Sequence, residues 1–415
     1  MDSARADALA ARSHLATQGW ISRQCESFRH LPPPVAEVWL GDEAGPQGRG
    51  CEAHPLAGAG WTLHPVGSTP QGRVDARWLD AGDAVQRAEL LVDLPAPGQG
   101  DAAPFAWAHR ALCRHGLRLR IGGAPGAQRI PGETVWLQLR HQPRTAVEAP
   151  LLVIDVQAGV QCVLVETHER EPLHCQRGIV QNLQVHLRLG VGATLTHLRL
   201  AMPGAGDRLA HHVHARLGRG ARYDQALIAA GSGYHLQRNV IALEAERSAA
   251  RTASVLFAAG SALEQQLQVA HAAARTTSAV EALVLASGAA RAVVNAHSRI
   301  APGAEDAAVR QRLSGIPTGG QPRLVLRPHL EIHHDRVQAA HGATWGALPE
   351  DALFLARQRG LDERTARGLI VEGMATAVLQ RCLDGPGLLQ PLAVDALLAR
   401  AVAGHLAAAQ ETGHE

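Results

Sequence analysis

Hydrophobic and polar positions alternate in short runs through the middle of the chain. Leu117-Arg118-Leu119-Arg120-Ile121, Val135-Trp136-Leu137-Gln138-Leu139, Leu183-Gln184-Val185-His186-Leu187 and Leu195-Thr196-His197-Leu198-Arg199-Leu200 all carry the signature of half-buried strands. Small-residue corners lie between such runs at Gly159-Val160, Gly192-Ala193, Gly220-Ala221, Ala249-Ala250 and Gly288-Ala289, recurring loosely at roughly thirty residues. Short strands with tight corners and no helices between them predict a stacked β-solenoid. A β-sandwich is the competing arrangement, but the Asn-Gly hairpin signals that would favour it are missing. Arg323-Leu324-Val325-Leu326 and His329-Leu330-Glu331-Ile332 supply the last predicted strands.

Both ends of the chain change texture. A helix is predicted over 4–18, ended by Gly19, followed by a loop-rich region with Pro32-Pro33-Pro34 and many glycines up to Gly72. Two more helices are predicted over 83–94 and 104–115, the second bounded by Pro104 and Gly116. Beyond the strands, Pro349 opens a helix with Glu350 and Asp351 in its first turn, Arg357 and Arg359 in its last, and Gly360 as its cap. Asp362 caps a second helix, whose apolar stripe is read as Ala366, Leu369, Ile370, Gly373 and Ala377. Asp384-Gly385-Pro386-Gly387 breaks the chain before a last helix over 391–409. The expected fold is mainly β: a parallel β-helix over 117–345, flanked by an N-terminal helical and loop domain over 1–116 and a C-terminal helical domain over 346–415.

Composition narrows the function classes. The 40 basic residues are all arginine and face 38 acidic ones. That balance gives no field to gather nucleic acid or a membrane surface, and 3% aromatic residues make poor base-stacking platforms. Without lysine there is no P-loop of the usual kind and no Schiff-base nucleophile. Cys25, Cys51, Cys113, Cys162, Cys175 and Cys382 form no CxxC pair, which argues against a zinc ribbon or a disulfide framework. No apolar run reaches ~18 residues and the N-terminus has no apolar signal region, so a cytoplasmic protein with reduced thiols is expected.

Candidate chemistry is sparse. His212 and His214 would share a strand face and could ligate a metal, although a polar face turned to solvent or a partner is the plainer reading. His333 and His334, followed by Asp335, would point to opposite faces. Asp155, Glu166, Glu169 and Glu171 lie close in sequence, but no periodic carboxylate ladder follows of the sort a sugar-cleaving β-helix enzyme needs.

The most informative segment begins at Pro328-His329-Leu330-Glu331-Ile332. It continues with Asp335, Val337, His341-Gly342-Ala343-Thr344, Gly346, Leu348, Ala352-Leu353-Phe354 and Arg357-Gln358-Arg359-Gly360. This ordered run closely resembles the SufB/SufD family of iron–sulfur cluster assembly scaffolds. Ala366-Arg367 and Glu372-Gly373 fit the family's next helix. Weaker likeness extends to Thr277-Ser278, Gly288-Ala289-Ala290 and Ala304, and to an entry motif at Arg23, Glu26, Phe28 and Arg29, where Trp is usual in place of Phe28. SufD-type chains carry His-Gly-Ala-Thr where SufB-type chains have Glu second, so Gly342 resembles the SufD type. SufD-type chains often place Cys two residues before the His; this chain has Ala339.

The resemblance implies a right-handed parallel β-helix with helical flanks. It implies a non-enzymatic scaffold that pairs with a SufB-like subunit and binds a SufC-like ATPase through its C-terminal helices. His341 corresponds to the histidine offered at the scaffold–scaffold interface, where iron or a nascent cluster is held transiently, with none bound tightly by the lone chain. A β-helix carbohydrate-active enzyme and a stand-alone metal-binding protein are the alternatives.

Overall fold

The computed structural model describes residues 3–41, 57–58, 60–66, 73–122, 134–169, 178–383 and 393–411. Two sheets run side by side through it. The first passes from Trp61–Pro65 through Thr134–His141, Gln161–Glu169, Thr194–Met202, Arg222–Ala230, Ala249–Ala259, Thr277–Gly288 and Ala307–Gly320 to Val337–Trp345. The second passes from Val74–Asp80 through His115–Ile121, Leu151–Val156, Val180–Leu189, Arg208–Leu217, Tyr234–Leu243, Ala262–His271 and Arg291–Ile300 to Arg323–Ile332. The chain alternates between the sheets, and successive strands within a sheet pair in parallel. This is the expected parallel β-solenoid.

Antiparallel strands begin both sheets: Trp61–Pro65 pairs Thr134–His141 and Val74–Asp80 pairs His115–Ile121. Both starting strands lie in or beside the stretch that reads as loop-rich; residues 42–56, 59 and 67–72 of that stretch are outside the described residues.

The period is set at a corner needing positive φ. Gly159, Gly192 and Gly220 occupy it at φ 70°, 63° and 64°, a region open to glycine without steric cost. On the following turns Arg247, Arg275 and Asp306 take the position at φ 59°, 57° and 56°. The sequence loses the repeat there because no glycine marks it. Gly288 belongs to a different corner, at the end of Thr277–Gly288.

Inward positions stack in columns. Leu183, Val213, Leu267, Val284 and Leu313 belong to one continuous buried core. The helices do not plug the ends of the solenoid; they cover the outer faces of the sheets. N-terminal Leu15, Phe28, Trp39 and Phe105 pack on Val180, Ala210, Tyr234 and Leu236 of the second sheet. Phe105 is the hub, with ring centroids 5.1 Å from Trp20 and 5.0 Å from Trp39. The expected entry motif fastens this layer: Glu26 pairs with Arg327 at 2.5 Å and the Ser27 carbonyl accepts from Gln266 at 2.8 Å.

C-terminal helices Glu363–Cys382 and Val394–Glu411 cover Leu198, Ile228, Val255 and Leu283 of the first sheet. The buried face of Glu363–Cys382 is Ala366, Val371, Ala375, Val378, Leu379 and Cys382. This corrects the expected stripe: Leu369 is 54% exposed. The break at 384–387 is outside the described residues.

Candidate functional site: the open end of the solenoid

His341 lies inside the last strand, Val337–Trp345, rather than in a loop beyond the strands. That strand pairs with Ala307–Gly320 alone, and Arg323–Ile332 pairs with Arg291–Ile300 alone. Among the described residues nothing pairs with their outer edges. Such edges are templates for another chain.

Register shows which way the last strand faces. Val309, Gln311 and Leu313 lie opposite Ala339, His341 and Ala343. Leu313 is in the solenoid core, and Gln311 is buried, donating to Ser298 Oγ at 2.9 Å and the His329 carbonyl at 3.1 Å. In-register parallel strands present stacked residues on the same face. His341 therefore continues an interior column, yet it is exposed, and among the described residues no further turn covers it. Across from it, Leu326, Pro328 and Leu330 continue the columns of Val294, Ala296 and Ser298. Trp345, on the His341 face, is 67% exposed.

Gly342 points the opposite way into open space. Thr344 shares that outer face, where its hydroxyl lies 3.0 Å from Ser314 Oγ. It ties neighbouring turns together rather than fixing a local bend. Ala339 shares the face of His341, so this rung offers one imidazole and no thiol.

The other sequence candidates fall elsewhere. His212 and His214 do share a face, but it is not a solvent face: helices cover it. His212 packs on Phe105 at 5.1 Å between centroids, and His214 stacks on His186 at 4.9 Å. Among the described residues no group of three or more His, Cys, Asp or Glu is placed to hold a metal. His333 Nε2 lies 2.7 Å from Glu331 Oε1, and the His334 ring accepts from the Arg336 amide at 3.2 Å. Asp155 lies 3.7 Å from Arg118. The Glu169 side chain and Glu171 lie outside the described residues, as do Cys51 and Cys175.

Sequence reasoning missed a polar cluster inside the solenoid. Glu166 is fully buried and is held by Arg199 (2.9 and 3.2 Å), His168 (2.6 Å) and His197 (3.0 Å). Burial pushes the Glu166 carboxyl up, but the Arg199 charge and the two imidazole hydrogen bonds outweigh it and hold the group well below the usual range. Burial lowers His168 and His197 despite that carboxylate. The cluster is therefore a carboxylate–guanidinium pair solvated by two neutral imidazoles. Its signal was present, as Glu166/His168 and His197/Arg199 at spacing two, but polar residues at strand period read as a wet face.

The SufBD core domain of the SUF system for FeS cluster assembly matches residues 139–374, more than half of the chain. The chain belongs to the SufBD family. An iron–sulfur cluster assembly SufBD family protein of Synechocystis is 24% identical over 249 residues, covering 58% of this chain and 54% of that protein. SufD of Escherichia coli is 31% identical over 100 residues, 24% of this chain and 23% of that one. A chloroplastic protein of Arabidopsis thaliana, ABCI7, is 36% identical over 56 residues, 14% of this chain and 12% of that one. The SufBD chain thus aligns with about half the length of the first of these relatives, and with less of the other two.

Proposed function

We propose that this SufBD chain is a SufD-type scaffold subunit, joined through its open solenoid end to a SufB-type scaffold, with iron or a nascent cluster held transiently at the junction. The observation that carries the reading is His341. It lies in the His-Gly-Ala-Thr run, at an interior position of a rung that no described strand covers. Neutral imidazole suits iron. Described Cys113, Cys162 and Cys382 are buried and Ala339 supplies no thiol beside His341, which suits a junction where the partner supplies further ligands to the cargo. A cytoplasmic setting is part of this reading, and the four described cysteines, which form no disulfide with one another, suit it. ATP hydrolysis belongs to a separate ATPase, since this chain has no lysine for a P-loop.

His341→Ala should leave the melting temperature of the isolated chain unchanged, because the side chain is exposed there, and the co-expressed complex should still assemble, because strand edges rather than this one imidazole hold the junction. Reconstituted iron and sulfide per complex should fall roughly tenfold, on the scale of lost metal affinity. A normally assembled complex with full iron and sulfide would overturn the ligand role.

The same reading assigns the ATPase to the C-terminal helices. Helix Glu350–Gln358 has no buried residue, and Phe354 and Leu355 are 61% and 53% exposed, as is Leu369 at 54%. Exposed apolar side chains in a group suit a partner surface. Phe354→Arg combined with Leu369→Arg should abolish ATPase capture in a pull-down while the scaffold pair persists. Stability should change by no more than ~0.5 kcal/mol per site, as for other surface positions. Undiminished ATPase capture by this double variant would remove the assignment.

A further inference from the structure

Resting on the scaffold junction proposed above, we propose further that the partner meets the open end with an acidic rim and with a recess that receives Trp345. Two sheet edges stop side by side at this end, Val337–Trp345 and Arg323–Ile332, and among the described residues each pairs only with the strand before it. Between them the cross-section of the core lies open: Leu326 and Leu330 face it from one sheet, Ala343 and Trp345 from the other. A single helix or peptide covers one edge. The end of a second solenoid supplies two edges and a core at the same spacing.

Trp345 finds no recess in its own chain. It lies in register with Gly315, but that glycine does not leave a hole. A Cβ there would come within 3.2 Å of Leu326 Cδ1 and 3.4 Å of Leu324 Cδ1, so leucines of the facing sheet already fill that level. The indole stands 67% exposed. Leaving so large an apolar side chain in water forgoes a sizeable burial term, and a tryptophan seated in a desolvated recess is a typical interface anchor.

Charge decides between a second copy and a different chain. Residues 291–345, which form the last two turns, carry seven arginines and four acidic residues. Arg299 pairs with Glu331, Arg327 with Glu26, and Arg336 with Asp306. Arg291, Arg310, Arg312 and Arg323 are exposed and have no ion pair among the described residues. Arg310 and Arg312 lie in register with Ala340 and Gly342 on the last strand, and the open space at Gly342 leaves the outer face clear up to the edge. Two copies meeting here would set excess positive charge against itself, whereas an acidic rim gains from the same arginines.

Calorimetry of the full chain with the SufB-type scaffold of the same source, at about 50 and about 500 mM NaCl, tests both features. Trp345→Ala should weaken the pair at least ~30-fold and leave the melting temperature of the isolated chain unchanged, because the indole is exposed. Arg310→Glu combined with Arg312→Glu should weaken it about tenfold at the lower salt and far less at the higher. Arg219→Glu, on an exposed corner beside the strand four places back from the open edge of the first sheet, should leave it unaltered. Unchanged affinity in Trp345→Ala, or indifference to the paired arginine reversals, would overturn the proposal and leave the scaffold reading standing. No pairing of the unaltered chain with a SufB-type scaffold would overturn both. Self-association lost in Trp345→Ala while the SufB-type pair is untouched would assign the recess to a second copy and overturn the proposal as well.

Discussion

The isolated chain should unfold in mild acid, between about pH 6 and pH 4. Burial lowers His109, His214, His235, His271 and His405 to about 4. In the unfolded chain the same groups titrate near 6.5. Their folded values lie below the unfolded ones, so their stabilising contribution is complete above about pH 6.5. It is lost as the pH falls, because the unfolded chain then takes up protons that the folded one refuses. Two carboxyls act the other way over this range: burial raises Glu148 to about 7 and Glu264 to about 8. Five groups against two leave a net of about three protons, or roughly 4 kcal/mol per pH unit at full slope. This is a lower bound, because burial also lowers His141, His168, His186, His197, His211 and His212. A domain with the usual 5–15 kcal/mol of stability exhausts that reserve within about one to four units at that slope. Urea unfolding at pH 7, 6 and 5, with proton uptake measured in parallel, checks the sign and the size. A free energy of unfolding that is flat from pH 7 to pH 5 would show that these imidazoles are hydrated rather than buried.

That result would separate two meanings of a histidine-rich sequence. The 23 histidines invite a metal reading, and the structure turns most of the strand histidines into packing elements instead. His212 supports Phe105, His214 stacks on His186, and His168 and His197 solvate Glu166. His341 differs from these in combining exposure with an interior column. The sequence could place His341 in its motif, since a run of ordered matches is local. It could not show the face of the side chain, because that depends on pairing Gln311 with His341 across a turn of thirty residues. The solenoid itself was legible from strand alternation and corner glycines. The regularity of its period was not, because Arg247, Arg275 and Asp306 hold a glycine conformation. The buried face of Glu363–Cys382 was misread for a related reason. Leu369 and Val371 are both apolar, and only the docked sheet decides that Val371 is inside and Leu369 outside.

Glu166→Ala should be among the most destabilising single changes in the molecule, at about 3–5 kcal/mol. It strands the Arg199 guanidinium, which is 1% exposed and, among the described residues, keeps only Gln237 Oε1 at 3.0 Å as a partner. The penalty comes from the remaining buried charge rather than from the lost attraction. Glu166→Gln keeps the shape and an acceptor but not the charge, so it should still be strongly destabilising. Arg199→Met should cost less than Glu166→Ala, because His168 and His197 remain as donors to the carboxylate and can take up a proton. The double change Glu166→Leu with Arg199→Met removes both charges and should recover most of the loss, giving a coupling energy of several kcal/mol in a double-mutant cycle. Chemical denaturation of these variants at pH 7.5 supplies the numbers; a Glu166→Ala cost below ~1 kcal/mol would mean that water reaches Arg199. The pair also controls for His341. Glu166 lies near the start of the solenoid and His341 at its other end, six parallel pairings away along the first sheet. Loss of complex should therefore follow loss of fold in Glu166→Ala, whereas in His341→Ala the complex should persist and the cargo should not.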